Sequence, residues 1–137
     1  MRNQKDRVII DTNLWISFLL TKDFTRFDTI IADKKLVLLF SQELIDEIVE
    51  VTQRIKFRKY FPLNDIERLL LKIRNRAYFI KIKSTVTDCR DPKDNFLLSL
   101  TVDGKATHLI TGDKDLLVLK VYGETKILTM TAYLQEQ

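Results

Sequence analysis

Residues 8–15, VIIDTNLW, place an aspartate directly after a run of aliphatic side chains. Val8, Ile9 and Ile10 are all apolar, which is typical of a strand that is covered on both faces of a sheet. A carboxylate at the end of such a strand is costly to remove from water unless it has a partner. We therefore expect Asp11 to lie at the edge of a buried sheet and to take part in a charged site.

Short apolar runs alternate with helical patterns along the rest of the chain. This order favours an α/β layered fold with a mostly parallel central sheet. The chain of 137 residues contains no repeat or flexible linker, so residues 1–137 are expected to form a single domain. The predicted strands cover residues 7–11, 35–40, 78–83, 106–113 and 125–130, and the predicted helices cover residues 14–20, 24–33, 41–57, 62–76 and 91–104, with a short helix at the end of the chain.

Composition argues against several classes of protein. The longest apolar run, LWISFLL at residues 14–20, has seven residues, far fewer than the roughly 20 of a membrane span. The amino terminus lacks the apolar segment of a signal peptide, and the single cysteine, Cys89, allows no internal disulfide. We therefore expect a cytoplasmic protein with no membrane partner. The net charge of +4 is compatible with a polyanionic partner but does not require one.

Two aspartates follow predicted strands at the point where each strand ends. Asp11 ends the first strand, and Asp113 follows the segment HLIT after a single glycine. The carboxyl ends of parallel strands meet at the crevice where α/β proteins bind ligands, so both side chains are expected there. Asp94 lies in the first turn of the predicted helix 91–104, one turn before leucines that should face the sheet. The pattern therefore predicts three converging acids.

A fourth acid is expected from the amphipathic helix 41–57, which Ser41 is predicted to cap. Its apolar stripe contains Val51, and on a wheel of about 100° per residue Glu47 lies about 40° from Val51. The other acids of this helix lie further round. Glu47 is therefore predicted to lean inward, with Glu43 as the alternative.

The predicted set of carboxylates has a definite ligand chemistry. Carboxylates a few ångströms apart repel one another, and some stay protonated unless a cation is present. Oxygen ligands without histidine or thiolate favour hard divalent ions such as Mg²⁺ or Mn²⁺. One or two such ions can support hydrolysis of a phosphodiester. Asn13 is expected to orient a water in this site, and Thr111 to donate a hydrogen bond to one of the carboxylates.

Four segments in this order, VIIDTNLWIS, SQELIDEIVEV, DPKDNFLLSL and HLITGDKDLL, resemble the PIN-domain nucleases, and most closely the bacterial toxin components of toxin–antitoxin pairs. The resemblance extends from Arg7 to about Leu128. It implies a Rossmann-like, three-layer α/β/α sandwich, a Mg²⁺- or Mn²⁺-dependent endoribonuclease that cleaves RNA, and an antitoxin protein as partner. It also implies that the catalytic, metal-binding acids are Asp11, Glu47, Asp94 and Asp113, with Asn13, Thr111 and Asp115 in supporting positions.

Some of these acids also have simple structural explanations. Asp91 and Asp94 begin a helix, where an N-cap and a first-turn acid are common. Asp91 is expected to be the N-cap, and it stays a candidate supporting residue. Asp115 could cap a short helix over residues 116–120.

Basic residues cluster in two segments. The stretch RIKFRKYF at residues 54–61 interleaves basic and aromatic side chains, a composition typical of nucleic-acid contacts. We expect Phe57, Tyr60 and Phe61 to lie in the core, whereas the basic residues are free to bind RNA or to form a solvated face. The second segment is a stripe on the next predicted helix, where Arg68, Lys72 and Arg76 recur at four-residue spacing. This stripe could bind RNA phosphates or form a solvated face. The candidate RNA-binding residues are Arg54, Lys56, Arg58, Lys59, Arg68, Lys72 and Arg76.

Three further expectations concern partners and alternatives. The apolar residues 14–20 could form the surface of a homodimer or of an antitoxin complex, although core packing is more common. A non-catalytic PIN-fold module that binds RNA or protein is an alternative function. A phosphate-handling signalling domain is disfavoured, because the segment Asp11-Thr12-Asn13 lacks the second acid of the Asp-x-Asp phosphatases.

Overall fold

The structure, a computed structural model, describes residues 5–21, 36–54, 57–75 and 77–136. These residues form a six-stranded sheet and the helices that pack against it. The elements in chain order are β1 (Asp6–Ile10), α1 (Thr12–Thr21), β2 (Leu36–Phe40), α2 (Gln42–Thr52), α3 (Leu63–Arg74), β3 (Ala77–Phe79), a 3₁₀ turn (Pro92–Asp94), α4 (Asn95–Gly104), β4 (His108–Ile110), α5 (Lys114–Leu117), β5 (Val121–Tyr122), β6 (Thr125–Leu128) and α6 (Met130–Glu136).

The sheet has the strand order β3-β2-β1-β4-β6-β5, and every neighbouring pair is parallel except β5 with β6. The prediction of a mostly parallel α/β fold is therefore confirmed. Val8, Ile9 and Ile10 of the central strand are at most 1% exposed. Because consecutive residues of a strand point to opposite faces, their burial means that both faces of β1 are covered.

The register of the central strands brings two distant segments to one edge of the sheet. Ile10 of β1 lies beside Ile110 of β4. The backbone N–H of Asp11 donates to the carbonyl of Ile110 at 3.0 Å, and the N–H of Thr111 donates to the carbonyl of Leu128, also at 3.0 Å. The residues that follow β1 and β4 therefore meet at the carboxyl edge of the sheet.

Helix α2 begins as predicted and ends earlier than predicted. The Oγ of Ser41 accepts a hydrogen bond from the N–H of Leu44 at 3.1 Å, so the predicted N-cap is confirmed. The prediction that the helix continues to residue 57 is wrong, because Thr52 is its last residue. The hydroxyl of Thr52 donates to the carbonyl of Val49, and the side chain of Gln53 donates to a carbonyl beyond the turn. The N–H of Arg54 donates to the carbonyl of Val51, three residues earlier, so the helical pattern of bonds to the fourth residue back stops after Gln53.

The predicted strand 78–83 is shorter in the structure, where β3 ends at Phe79. The N–H groups of Lys83 and Ser84 donate to the carboxylate of Asp103 at 2.7 and 2.9 Å instead of to a neighbouring strand. The backbone N–H groups of Lys83 and Ser84 are therefore bonded to α4 and not to a strand. The predicted helix 24–33 lies outside the described residues.

Strand β5, which forms a hairpin with β6, is not among the predicted strands. Gly123 in the turn has a φ of +59°, a conformation that glycine adopts without steric cost. A glycine between two short β-prone segments is the signal that could have revealed this hairpin. Within the described residues, no helix combines the length and the apolar character that crossing a membrane requires.

Candidate active site

Asp11 lies at the turn between β1 and α1, and its side chain is 4% exposed. Its carbonyl accepts a hydrogen bond from the N–H of Leu14 at 3.0 Å, so the residue that follows the strand also accepts a bond from the first turn of the helix. The indole Nε1 of the buried Trp15 donates to the carbonyl of Ile10 at 3.0 Å. These bonds fix the backbone of Asp11 at the carboxyl edge of the sheet.

Thr111 orients the carboxylate of Asp11. The fully buried hydroxyl of Thr111 donates to Asp11 Oδ2 at 2.7 Å and accepts a bond from the N–H of Asp113 at 3.0 Å. Burial raises the pKa of Asp11, and the hydrogen bond from Thr111 opposes that shift. The nearby Asp113 carboxylate raises the pKa of Asp11 further. One hydroxyl thus connects the two strand-end acids.

Glu47 on α2 is half-buried and turned toward α1. Its Oε2 accepts a hydrogen bond of 2.7 Å from the Oγ1 of Thr12, which is 2% exposed. Burial raises the pKa of Glu47, the bond from Thr12 opposes the shift, and the negative charge of Asp11 adds to the rise. Glu43, the alternative residue on the same helix, is exposed to solvent. Of these two glutamates, Glu47 is the one that interacts with Asp11.

Asp94, the last residue of the 3₁₀ turn, is 9% exposed. Its Oδ2 is buried and has no hydrogen-bond partner. Burial and the adjacent Asp113 carboxylate raise the pKa of Asp94 to about 8, and Asp11 adds a smaller repulsion. Two carboxylates that face each other without a donor need either a shared proton or a cation between them.

The acidic loop after β4 has a different local structure from the one expected. Asp113 caps α5, since its Oδ1 accepts from the N–H of Asp115 at 2.8 Å. The cap role considered for Asp115 is therefore wrong, because Asp115 lies inside α5. Its own Oδ1 lies 2.8 Å from Nη2 of Arg90 in an ion pair. The expected N-cap at Asp91 is confirmed by a bond of 3.1 Å from the N–H of Lys93.

The four acids are linked in pairs and do not form a closed cluster. In the described ranges, no three histidine, cysteine, aspartate or glutamate side chains are arranged so that they could hold a metal ion. The residues nevertheless fit a hard divalent cation in two respects. All four donors are carboxylates, the ligand type that Mg²⁺ and Mn²⁺ prefer, and the buried Asp94 Oδ2 lacks a donor.

The remaining predicted site residues lie on the surface. The side chain of Asn13 is exposed at the start of α1, and its backbone N–H bonds Asp11. Of the three aromatic residues expected in the core, Phe61 is 3% exposed as predicted, Phe57 is partly buried against the core, and the prediction is wrong for Tyr60, which is 57% exposed. The candidate RNA-binding residues that are exposed are Arg54, Arg58, Lys59 and Arg68. The part of the chain that the structure describes does not include Lys56, Arg76 or the side chain of Lys72.

Two residues of this region were missed by sequence reasoning. Thr12 bonds Glu47, and Arg90 pairs with Asp115. Thr12 lies inside the DTN segment between two candidate residues, and that position could have indicated that it belongs to the site. Nothing in the local pattern around Arg90 indicated its partner 25 residues later.

A family model described as PIN domain matches residues 7–115, which include Asp11, Glu47, Asp94 and Asp113. No curated protein matches the chain at a significant level.

Proposed function

Because the chain belongs to the PIN domain family, whose fold is of the nuclease type, we propose that it is a Mg²⁺- or Mn²⁺-dependent endoribonuclease. In this proposal Asp11, Glu47, Asp94 and Asp113 hold one or two cations next to a phosphodiester of RNA. Asn13, Thr111, Asp91 and Asp115 have supporting roles.

The observation that carries the proposal is the unpartnered carboxylate oxygen of Asp94. It is buried beside Asp113 and has no hydrogen-bond donor. A buried carboxyl oxygen without a donor, next to a second carboxylate, destabilises a protein unless a proton or a cation offsets the repulsion. A divalent cation neutralises it and, when bound, supplies Lewis-acid stabilisation of the charge that develops on a phosphodiester during hydrolysis.

The protein's own residues orient these acids. The hydroxyl of Thr111 holds Oδ2 of Asp11, and the backbone N–H groups of Thr12 and Asn13 also bond this carboxylate. The hydroxyl of Thr12 holds Oε2 of Glu47. Because both threonines are buried, the two carboxylates have little rotational freedom to lose when a cation and substrate bind.

A cleavage assay tests the proposal. Single-stranded RNA labelled at its 5′ end is incubated with the protein in Mn²⁺, in Mg²⁺ and in EDTA. We expect internal cleavage in either metal, with 5′-phosphate and 3′-hydroxyl ends, and none in EDTA. Equal cleavage in EDTA, or RNA left intact in both metals, would contradict the proposal.

Two glutamates of one helix give a matched comparison. We expect Glu47→Gln to lower the cleavage rate by at least about 100-fold, because a charged cation ligand is lost. Glu43→Gln removes the same charge from an exposed position one turn earlier and should leave the rate unchanged. The rates are measured at saturating Mn²⁺. A larger loss for Glu43→Gln than for Glu47→Gln would show that Glu43 is the cation ligand on this helix.

We also propose that this nuclease is the cytoplasmic toxin component of a toxin–antitoxin pair and forms a homodimer. The support for the toxin role is the resemblance of four motifs to that bacterial branch. Trp15 and Ile16 of the apolar run are buried in the core, whereas Leu20 is 44% exposed and is available for an interface. Growth arrest on expression of the wild type, but not of Asp11→Asn, would support the role, and light scattering would measure the oligomeric state.

A further inference from the structure

We propose that Arg90 binds a backbone phosphate of the substrate at the rim of the acidic site, and that Asp115 positions its guanidinium. This inference rests on the proposed nuclease function, because it assigns the substrate contact of that same site. In this proposal the RNA contact nearest to the acids is in the loop that carries Asp94, and not among the basic residues of the segment 54–76.

Arg90 connects the two loops that carry the buried acids. It immediately precedes Asp91, the N-cap of the 3₁₀ turn that ends at Asp94. Its Nη2 lies 2.8 Å from Asp115 Oδ1, and the N–H of Asp115 donates to Asp113 Oδ1 at 2.8 Å. The guanidinium is therefore held between the segment that leads to Asp94, four residues after Arg90, and the segment that carries Asp113, two residues before Asp115.

The chain around Arg90 is anchored before any substrate binds. The N–H of Cys89 donates to Asn95 Oδ1 at 2.9 Å, and the thiol of Cys89 contacts the carbonyl of Asp115 at 3.9 Å. One residue earlier, the carboxylate of Asp88 accepts a hydrogen bond from the hydroxyl of Tyr122. Anchoring of this kind reduces the entropy that is lost when a loop side chain binds a ligand.

Stability does not explain the ion pair. The Arg90 side chain is 65% exposed and that of Asp115 is 37% exposed, and ion pairs at such exposure contribute little to folding. An arginine presents five N–H donors in a planar fork that matches a phosphate. Asp115 engages one edge of this fork, and the exposed remainder can donate to an anion.

The negative charge of the site explains why a positive side chain such as Arg90 is needed beside it. The carboxylates of the site repel the phosphates of an approaching RNA strand, and one divalent cation bound among them offsets only two negative charges. A fixed guanidinium beside the acids supplies a charge-assisted hydrogen bond to a neighbouring phosphate. Asp115 then supports the site by holding Arg90 and not by binding a cation.

RNA binding in EDTA tests the inference without relying on cleavage. Fluorescence anisotropy of a labelled single-stranded RNA is measured over a salt series for the wild type, Arg90→Gln, Arg90→Lys, Asp115→Asn and Lys126→Gln. Lys126 is the matched control, because its side chain is 60% exposed and lies 3.5 Å from one carboxylate, Glu136. It also lies beside His108, at the opposite end of β4 from the acids.

We expect Arg90→Gln to weaken binding about tenfold and to reduce the slope of log Kd against log salt by about 0.7, the value for one phosphate of a single strand. Arg90→Lys should keep the slope and bind less tightly, since it retains the charge without the fork. Asp115→Asn should weaken binding with the slope unchanged. Lys126→Gln should change neither quantity. In cleavage, Arg90→Gln should raise KM more than it lowers kcat.

Wild-type affinity and an unchanged slope for Arg90→Gln would overturn the inference, and so would the absence of RNA binding by the wild type. A lower Tm with an unchanged salt slope would show that Arg90 is structural and would also overturn it. RNA binding that depends on Arg90 in a wild-type protein that does not cleave RNA would support the phosphate contact while the proposed nuclease function fails.

Discussion

Replacing Asp94 by asparagine is expected to abolish RNA cleavage and at the same time to stabilise the metal-free protein. The carboxylate of Asp94 is buried beside Asp113, and its Oδ2 has no donor. Asparagine removes one of the two repelling charges and offers an N–H group to the other. Relief of an unsatisfied buried group should raise the Tm at pH 8 in EDTA by about 3 °C or more.

The pH dependence gives the sign of this effect. The pKa of Asp94 is raised to about 8 in the folded protein, whereas an unfolded aspartate titrates near its ordinary value of about 3.9. The folded state therefore binds more protons between these two pH values, so its stability falls as pH rises through that window. Asp94→Asn should flatten the slope of Tm against pH between about pH 5 and 8.

The control for this experiment is Asp46→Asn, which removes an exposed acid from α2 and should leave the slope unchanged. Mn²⁺ should raise the Tm of the wild type, because a ligand that binds only the folded state stabilises it. The same addition should have little effect on Asp94→Asn. Cleavage by Asp94→Asn at the wild-type rate, or a lower Tm in EDTA at pH 8, would contradict the role given to Asp94.

The second large effect is expected at Asp11. Asp11→Asn should lower the rate of RNA cleavage by at least about 100-fold, because it removes the charge at the centre of the proposed site. Thr111→Val keeps that charge and removes the hydroxyl that orients it, so a smaller loss of about 10- to 100-fold is expected. Both rates are measured at saturating Mn²⁺ and compared with that of Asp46→Asn.

Thr111→Val also leaves the N–H of Asp113 without its side-chain acceptor. We therefore expect a lower Tm for this variant. Calorimetry separates that loss of stability from the loss of activity, provided that the assay temperature lies well below the Tm. Full activity in Asp11→Asn would show that Asp11 is not part of the catalytic site, whatever the result for Thr111→Val.

Several features of this protein were determined by local sequence alone. The apolar run before Asp11 predicted a strand covered on both faces, and the alternation of elements predicted the parallel sheet. Capping chemistry predicted Ser41 and Asp91, and the helical wheel distinguished Glu47 from Glu43. Each of these inferences depends on residues a few positions apart, where periodicity and hydrogen bonding act directly.

Only the tertiary structure decided which of these residues touch. The bond from Thr111 to Asp11 joins residues 100 positions apart, and the bond from Thr12 to Glu47 joins residues 35 positions apart. The missing donor of Asp94 likewise depends on what packs around it. Strand register and helix packing set these distances, and neither leaves a local pattern in the sequence. The sequence therefore supplied the acids and their elements, while packing determined their partners, their pKa shifts and the position of Arg90.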